Sequence, residues 1–246
     1  ATAGPVCASI DACAAGCDDG KGNLAACTEL GLQLLLPGPK QAPKRAADAF
    51  RQGCGISAEF SFDPNRGEAK ACWQLAQLRK EGWLFIVDRD MSNYVMLVNR
   101  AESLAERKCT DADPSGCATA AAALSALHSQ IAPTADEIGK PLKLAELGCV
   151  TGKDFGACRV LRSFLWNLEY RDQKRDDAER LRKAIAQVSL STCIRDGGEA
   201  CTIARNEVSG ADLQALQAAV DKRCTDGVVS ECATKHYWTL VYEAKD

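Results

Sequence analysis

Fourteen cysteines, two histidines and a scatter of serines are the side chains of this chain that could carry out chemistry. The cysteines stand at 7, 13, 17, 27, 54, 72, 109, 117, 149, 158, 193, 201, 224 and 232. As thiolates they could attack an acyl carbon or ligate a metal, whereas as disulfides they could only hold the chain. A zinc site wants ligands two to four residues apart, commonly with histidine. Here there is no Cys-x-x-Cys, the one short spacing is Cys13 to Cys17, and only His128 and His236 could assist. No metal is expected. An even set of cysteines this large would be a liability in a reducing cytosol, so the thiols are expected to be bridged and the compartment to be oxidising.

The remaining chemistry is sparse. A serine acylase of the penicillin-binding kind needs Ser-x-x-Lys so that a base lies one helical turn from the nucleophile, and no serine here has lysine three residues on. Gly-x-Ser-x-Gly, His-Glu-x-x-His, Gly-x-x-x-x-Gly-Lys and Gly-x-Gly-x-x-Gly are absent too. His236, within Lys235-His236-Tyr237-Trp238, reads as an exposed side chain on a terminal helix rather than a pH switch. His128 reads as the end of an Ala-rich helix, where imidazole faces unpaired carbonyls. No catalytic residue and no cofactor is expected.

The elements that place the cysteines are helices. Ala and Leu dominate, aromatic residues make up only 6%, and apolar positions recur at helical spacing, so the chain reads as all-α. Seven residues separate Cys109 from Cys117, Cys193 from Cys201 and Cys224 from Cys232, and eight separate Cys149 from Cys158. Cys17 to Cys27 and Cys54 to Cys72 are longer intervals. Runs such as Thr110-Asp111-Ala112-Asp113-Pro114-Ser115-Gly116 and Ile194-Arg195-Asp196-Gly197-Gly198-Glu199-Ala200 are turn chemistry. Each interval therefore joins two helices, with one cysteine ending the first and the other in the opening turn of the second. A bridge across a connector of about ten residues would contribute on the order of 2 to 3 kcal/mol. Fourteen cysteines allow many pairings, and only the repeat logic selects neighbours.

Between connectors lie segments 28–53, 73–108, 118–148, 159–192 and 202–223, each long enough for a helical hairpin. In the fourth, Leu161, Phe164, Leu165 and Leu168 make one apolar face, and Ala178, Leu181, Ile185 and Val188 a second. In the fifth, Leu213, Leu216 and Val220 lead to Cys224. Helix pairs recurring at this period are the signature of a solenoid, here about five hairpins over 17–246 with a C-terminal capping helix and a cap segment at 1–16.

The formal net charge of -3, with lysine and arginine scattered among acids, argues against nucleic acid or an anionic membrane as partner. Arg171 to Lys183 mixes both signs, with Asp176 and Arg180, and Glu179 and Lys183, at i,i+4 spacing, as on a solvated helix face. No apolar run is long enough to span a bilayer. The opening Ala1-Thr2-Ala3, without methionine, suits a mature product whose targeting segment has been removed, or simply a chosen starting point.

The stretch Gly16-Cys17 to Ala26-Cys27-Thr28-Glu29-Leu30-Gly31, then Pro37-Gly38 and Arg45-Ala46-Ala47-Asp48-Ala49-Phe50-Arg51-Gln52-Gly53-Cys54, resembles a Sel-one-like repeat, a relative of the tetratricopeptide repeat. Its cysteine-bearing form is similar to the Helicobacter cysteine-rich protein family, whose seven-residue Cys-to-Cys connectors Lys108-Cys109 to Gly116-Cys117 and Arg223-Cys224 to Glu231-Cys232 match. Ala71-Cys72-Trp73-Gln74-Leu75-Ala76 and Ala157-Cys158-Arg159-Val160-Leu161 match the entry to the next helix. The chain departs from the pattern in its two long first connectors, in Leu161-Arg162 and Ile203-Ala204 where Leu-Gly is usual, and in a short hairpin at 202–223. Cys7 and Cys13 have no counterpart and would pair with each other.

The resemblance implies an exported scaffold, periplasmic, secreted or on a bacterial cell surface near membrane or cell wall, which holds a protein or peptide on its concave face. With Leu75 and Ala76 in the core, Trp73, Gln74 and Gln77 face away, and Arg159, Arg162 and Trp166 lie off the Leu161 and Phe164 stripe. Trp and Arg are residues enriched at binding hot spots, although tryptophans also pack between repeats. The run Gly82-Trp83-Leu84-Phe85-Ile86-Val87 is either an exposed contact patch or ordinary core. An alternative reading, also carried by the resemblance, is a binder or weak hydrolase of β-lactam or peptidoglycan fragments. A third is an assembly factor of the mitochondrial intermembrane space.

Overall fold

The computed structural model describes residues 7–18, 23–56, 66–82, 90–128 and 135–239, without the side chains of 128, 135–137, 166 and 171. Among them the regular elements are all helical. The chain divides into two compact units, Ala1–Pro141 and Leu142–Asp246.

The first unit opens with α1 (Ile10–Asp18), α2 (Leu24–Leu35), α3 (Pro43–Gly53), α4 (Ala69–Glu81), α5 (Met91–Glu106) and α6 (Cys117–His128), and contains the start of α7 (Ala135–Glu146). Local chemistry sets the ends. Asn23 and Asp90 accept backbone hydrogen bonds from Ala26 and Asn93, both at 3.1 Å, capping α2 and α5. Gly82, in the left-handed region at φ 61°, ends α4. From α1 to α6 each helix packs on the next, and α1 also touches α3, α2 touches α4 and α4 touches α6. The core is built from large residues spaced by alanines: Leu34, Phe50, Tyr94 and Val98 are buried among Ala46, Ala71, Ala76, Ala101 and Ala105. Small residues bring helices close. At Gly31, in the Leu-Gly pair of α2, a Cβ would lie 2.4 Å from the Phe50 ring of α3, so glycine alone fits.

The second unit continues α7 through a π-helical turn (Leu147–Thr151), then α8 (Phe155–Trp166) with a second π-helical turn (Asn167–Arg171), α9 (Arg175–Asp196), α10 (Glu199–Glu207), α11 (Gly210–Thr225) and α12 (Val229–Trp238). Leu161, Phe164, Leu165 and Leu168 are buried, as are Ala178, Leu181, Ile185 and Val188, so the two faces expected for segment 159–192 are its two packing faces. Leu216 and Val220 of α11 join Cys193, Ala200, Cys201, Ala204 and Trp238 in one apolar cluster, with Leu213 at its edge.

All fourteen cysteines are bridged: Cys7–Cys13, Cys17–Cys27, Cys54–Cys72, Cys109–Cys117, Cys149–Cys158, Cys193–Cys201 and Cys224–Cys232. The last six each tie the end of an odd-numbered helix to the opening of the next even-numbered one, with Cα atoms 4.6 or 4.7 Å apart. Among the described residues the twelve α-helices thus form six stapled pairs. With this many bridges the chain is built for an oxidising, extracellular-type compartment.

Among the described residues α1 begins at Ile10 and holds both Cys13 and Cys17. The boundary between the two compact units falls between Pro141 and Leu142. It lies within α7, where Pro141 lacks the N–H that would continue the helical ladder.

Candidate functional site

Trp73, Gln74 and Gln77 share α4, where all three are half-buried while Leu75 and Ala76 are buried as the register requires. The Gln77 side-chain nitrogen is buried without a hydrogen-bond partner. One turn on, the Lys80 ammonium stands 5.5 Å from the centre of the Tyr94 ring, and the Tyr94 hydroxyl is also buried and unpartnered. Burial pushes the Tyr94 phenol above its ordinary pKa, so it stays a neutral donor. The Gln77 amide nitrogen on α4 and the Tyr94 hydroxyl on α5 are thus two buried polar atoms with unmet hydrogen-bonding capacity.

The second trio belongs to α8 in the other unit. Arg159 and Arg162 are exposed, and the side chain of Trp166 lies outside the described residues. Neither arginine is idle: Arg159 pairs with Glu199 at 2.8 Å, and Arg162 stands 3.8 Å from Glu207. Glu207 closes α10 with its side chain only 11% exposed, and Arg182 approaches it at 3.6 Å while also holding Glu169 at 2.8 Å and Glu179 at 3.3 Å. Desolvation raises the Glu207 pKa, opposed by Arg182 and Arg162 and reinforced by the Glu179 charge.

A carboxyl whose folded pKa is raised binds its proton more readily in the native state, so its charge weakens the fold above that pKa and this cost disappears as pH falls through it. The stability of the parent relative to Glu207→Gln is therefore expected to rise on acidification from neutral pH to just above the ordinary carboxylate range. Urea unfolding of both proteins across that window measures it. A constant difference would show that the two guanidinium groups fully offset the burial.

The charged run lies where π-helical turn gives way to α9, and only half of its expected pairing forms. Glu179 and Lys183 meet at 3.5 Å, whereas Arg180 pairs with Glu146 of α7 at 2.8 Å in place of Asp176. His236 is exposed on α12, the His128 side chain is outside the described residues, and the 82–87 run is described only at Gly82.

Sequence reasoning missed two features. A groove of about 560 Å³ runs along α5 past Val95, Met96, Asn99 and Ser103. Its lining mixes polar and apolar residues at helical spacing, a pattern indistinguishable in sequence from a solvated face. The other is a set of clamps on the connectors. Arg100, only 7% exposed, donates from Nε to the Cys54 carbonyl at 3.1 Å and from Nη2 to the Arg66 carbonyl. Arg223 donates to the Asp196 carbonyl at 2.7 Å, and the buried Glu231 carboxylate accepts from the Gly198 N–H at 2.7 Å. Each clamp satisfies backbone groups of a connector from a later helix.

Among the described residues no group of three or more His, Cys, Asp or Glu side chains is gathered to hold a metal, and no helix is long and apolar enough to cross a membrane. Comparison with protein-family models, curated proteins and solved structures finds no match.

Proposed function

We infer that this chain is a disulfide-stapled α/α solenoid of the Sel-one-like kind, exported to the bacterial periplasm or cell surface, that binds a protein or peptide segment without a cofactor. The observation that carries this reading is the α4 face. Trp73 supplies a half-buried indole, and one turn along Gln77 keeps a buried amide nitrogen with nothing to bond. On binding, the Gln77 side chain would turn outward to give that nitrogen a carbonyl oxygen of an extended peptide stacked on Trp73, and the alternate-helix contacts of α2, α4 and α6 offer successive positions for a chain to follow. Arg159 and Arg162 of α8 are a separate candidate contact region within the second unit, and both are already paired.

Selection of peptides from a displayed random library on the oxidised full chain tests the reading. Enriched peptides are expected to lose about tenfold or more in affinity on Trp73→Ala or Gln77→Ala, the scale of one interface hot spot. Peptides that bind both variants as tightly as the parent would reject this face. Retention of a fluorescent penicillin after denaturation would instead support the reading as a binder or hydrolase of β-lactam or peptidoglycan fragments.

A further inference from the structure

We propose that the Cys224–Cys232 disulfide is a thiol–disulfide exchange site, a latch that a dithiol opens to free α12. Access distinguishes this staple. In Cys17–Cys27, Cys54–Cys72, Cys149–Cys158 and Cys193–Cys201 both cysteines are buried, and in Cys109–Cys117 one of them is. Only in Cys224–Cys232, of the six staples, are both half-exposed. Exchange requires an attacking thiolate to reach a sulfur from outside, so solvent access selects where it begins.

Geometry also directs the step. Cys224 lies in the last turn of α11, where the helix dipole disfavours negative charge, and Cys232 lies in the first turn of α12, where it stabilises a thiolate. Attack by the dithiol on Cys224 Sγ breaks the S–S bond, and the electron pair leaves with Cys232 Sγ. The second sulfur of the dithiol then displaces Cys224 from the mixed disulfide. The staple gains two electrons and two protons, and the dithiol becomes a disulfide. The neighbouring charges do not bias the step strongly, because Lys222 is paired with Asp226 at 2.9 Å, Lys235 with Asp221 at 2.9 Å and Arg223 with Glu231 at 3.8 Å.

Without the bridge α12 is held, among the described residues, by two buried side chains alone. It buries only Glu231 and Trp238, and a groove of about 260 Å³ remains beside Trp238 between α11 and α12. Its departure would uncover Leu216 and Val220 at the edge of the α9–α11 cluster, so opening the latch presents a new apolar face.

The test is graded dithiothreitol on the native full chain, with iodoacetamide trapping, peptide mapping and amide hydrogen exchange. Cys224 and Cys232 are expected to be alkylated while the other five staples remain linked. Amide protection over 229–238 is expected to fall at least tenfold while that over 91–106 is unchanged. Cys224→Ala/Cys232→Ala is expected to show the same local loss without reductant. Opening of Cys109–Cys117 first, opening of all staples together, intact protection over 229–238 after Cys224 and Cys232 are alkylated, or a double variant that fails to fold would each overturn the latch.

Discussion

Replacing Cys193 and Cys201 together by alanine is expected to destabilise residues 142–246 by on the order of 3 kcal/mol, with the loss concentrated in α9, α10 and α11. The bridge closes a short loop, a sequence separation of 8, so restricting the unfolded chain accounts for about 2.5 kcal/mol in the chain-entropy treatment. The rest comes from packing. Both sulfurs are fully buried against Ala200, Ala204, Leu216 and Val220, and alanine leaves a void there. The control is Cys7→Ala/Cys13→Ala, whose bridge, with a sequence separation of 6, closes onto α1 and joins no second helix, so it is expected to lose the loop-closure share alone, about 2.4 kcal/mol, without the packing share. Chemical denaturation followed by far-ultraviolet circular dichroism, with hydrogen exchange to localise the loss, distinguishes the two. Equal effects would mean that the staples act only through the unfolded chain and not through the helix pairs they join.

Glu231→Ala is expected to cost about 3 kcal/mol, the upper end of the scale for a lost hydrogen bond to a buried charged group. Glu231 is 1% exposed, although it is a carboxylate in the first turn of the last helix, and it accepts from the Gly198 N–H at 2.7 Å beside the Arg223 guanidinium. Its removal leaves a backbone N–H without an acceptor and Arg223 without its counter-charge. The site admits little else: at Gly197, φ 75°, a Cβ would lie 2.4 Å from the Glu231 carboxylate, so connector and clamp are fitted to one another. Glu231→Gln keeps the acceptor and is expected to cost roughly half as much, because the hydrogen bond survives and only the charge is lost. Thermal unfolding of both variants measures this. Matching losses would place the whole effect in the charge and none in the connector hydrogen bond.

What could be read from the sequence was whatever depends on local periodicity. The helix pairs of 159–192 and the entry of Cys27, Cys72, Cys117, Cys158, Cys201 and Cys232 into the first turns of helices follow from the 3.6-residue repeat and from turn residues between. The core-facing register of Leu75 and Ala76 follows in the same way. What depends on distant chain segments was not legible. Arg180 has Asp176 one turn before it, yet binds Glu146, because tertiary packing brings a partner from α7. Arg162 looks from its register like a free surface cation, and it is partly committed to Glu207 at the far end of α10. Arg100 and Arg223, in sequence two more basic residues on amphipathic helices, are clamps on connectors formed 34 and 27 residues earlier. The break at Pro141 could have been suspected from proline alone, but whether a proline ends a unit or merely bends a helix is decided by what packs around it.

Helix pairs joined by neighbouring cysteines are the foundation of this fold, and peptide mapping under non-reducing conditions tests them most directly. Protein isolated without added oxidant and blocked with an alkylating agent should yield Cys109 linked to Cys117 and Cys193 linked to Cys201, with no free thiol at these positions. Free thiols there, or bridges from either pair to distant cysteines, would contradict the stapled pairs and remove the basis for both the exported scaffold and the latch at its end.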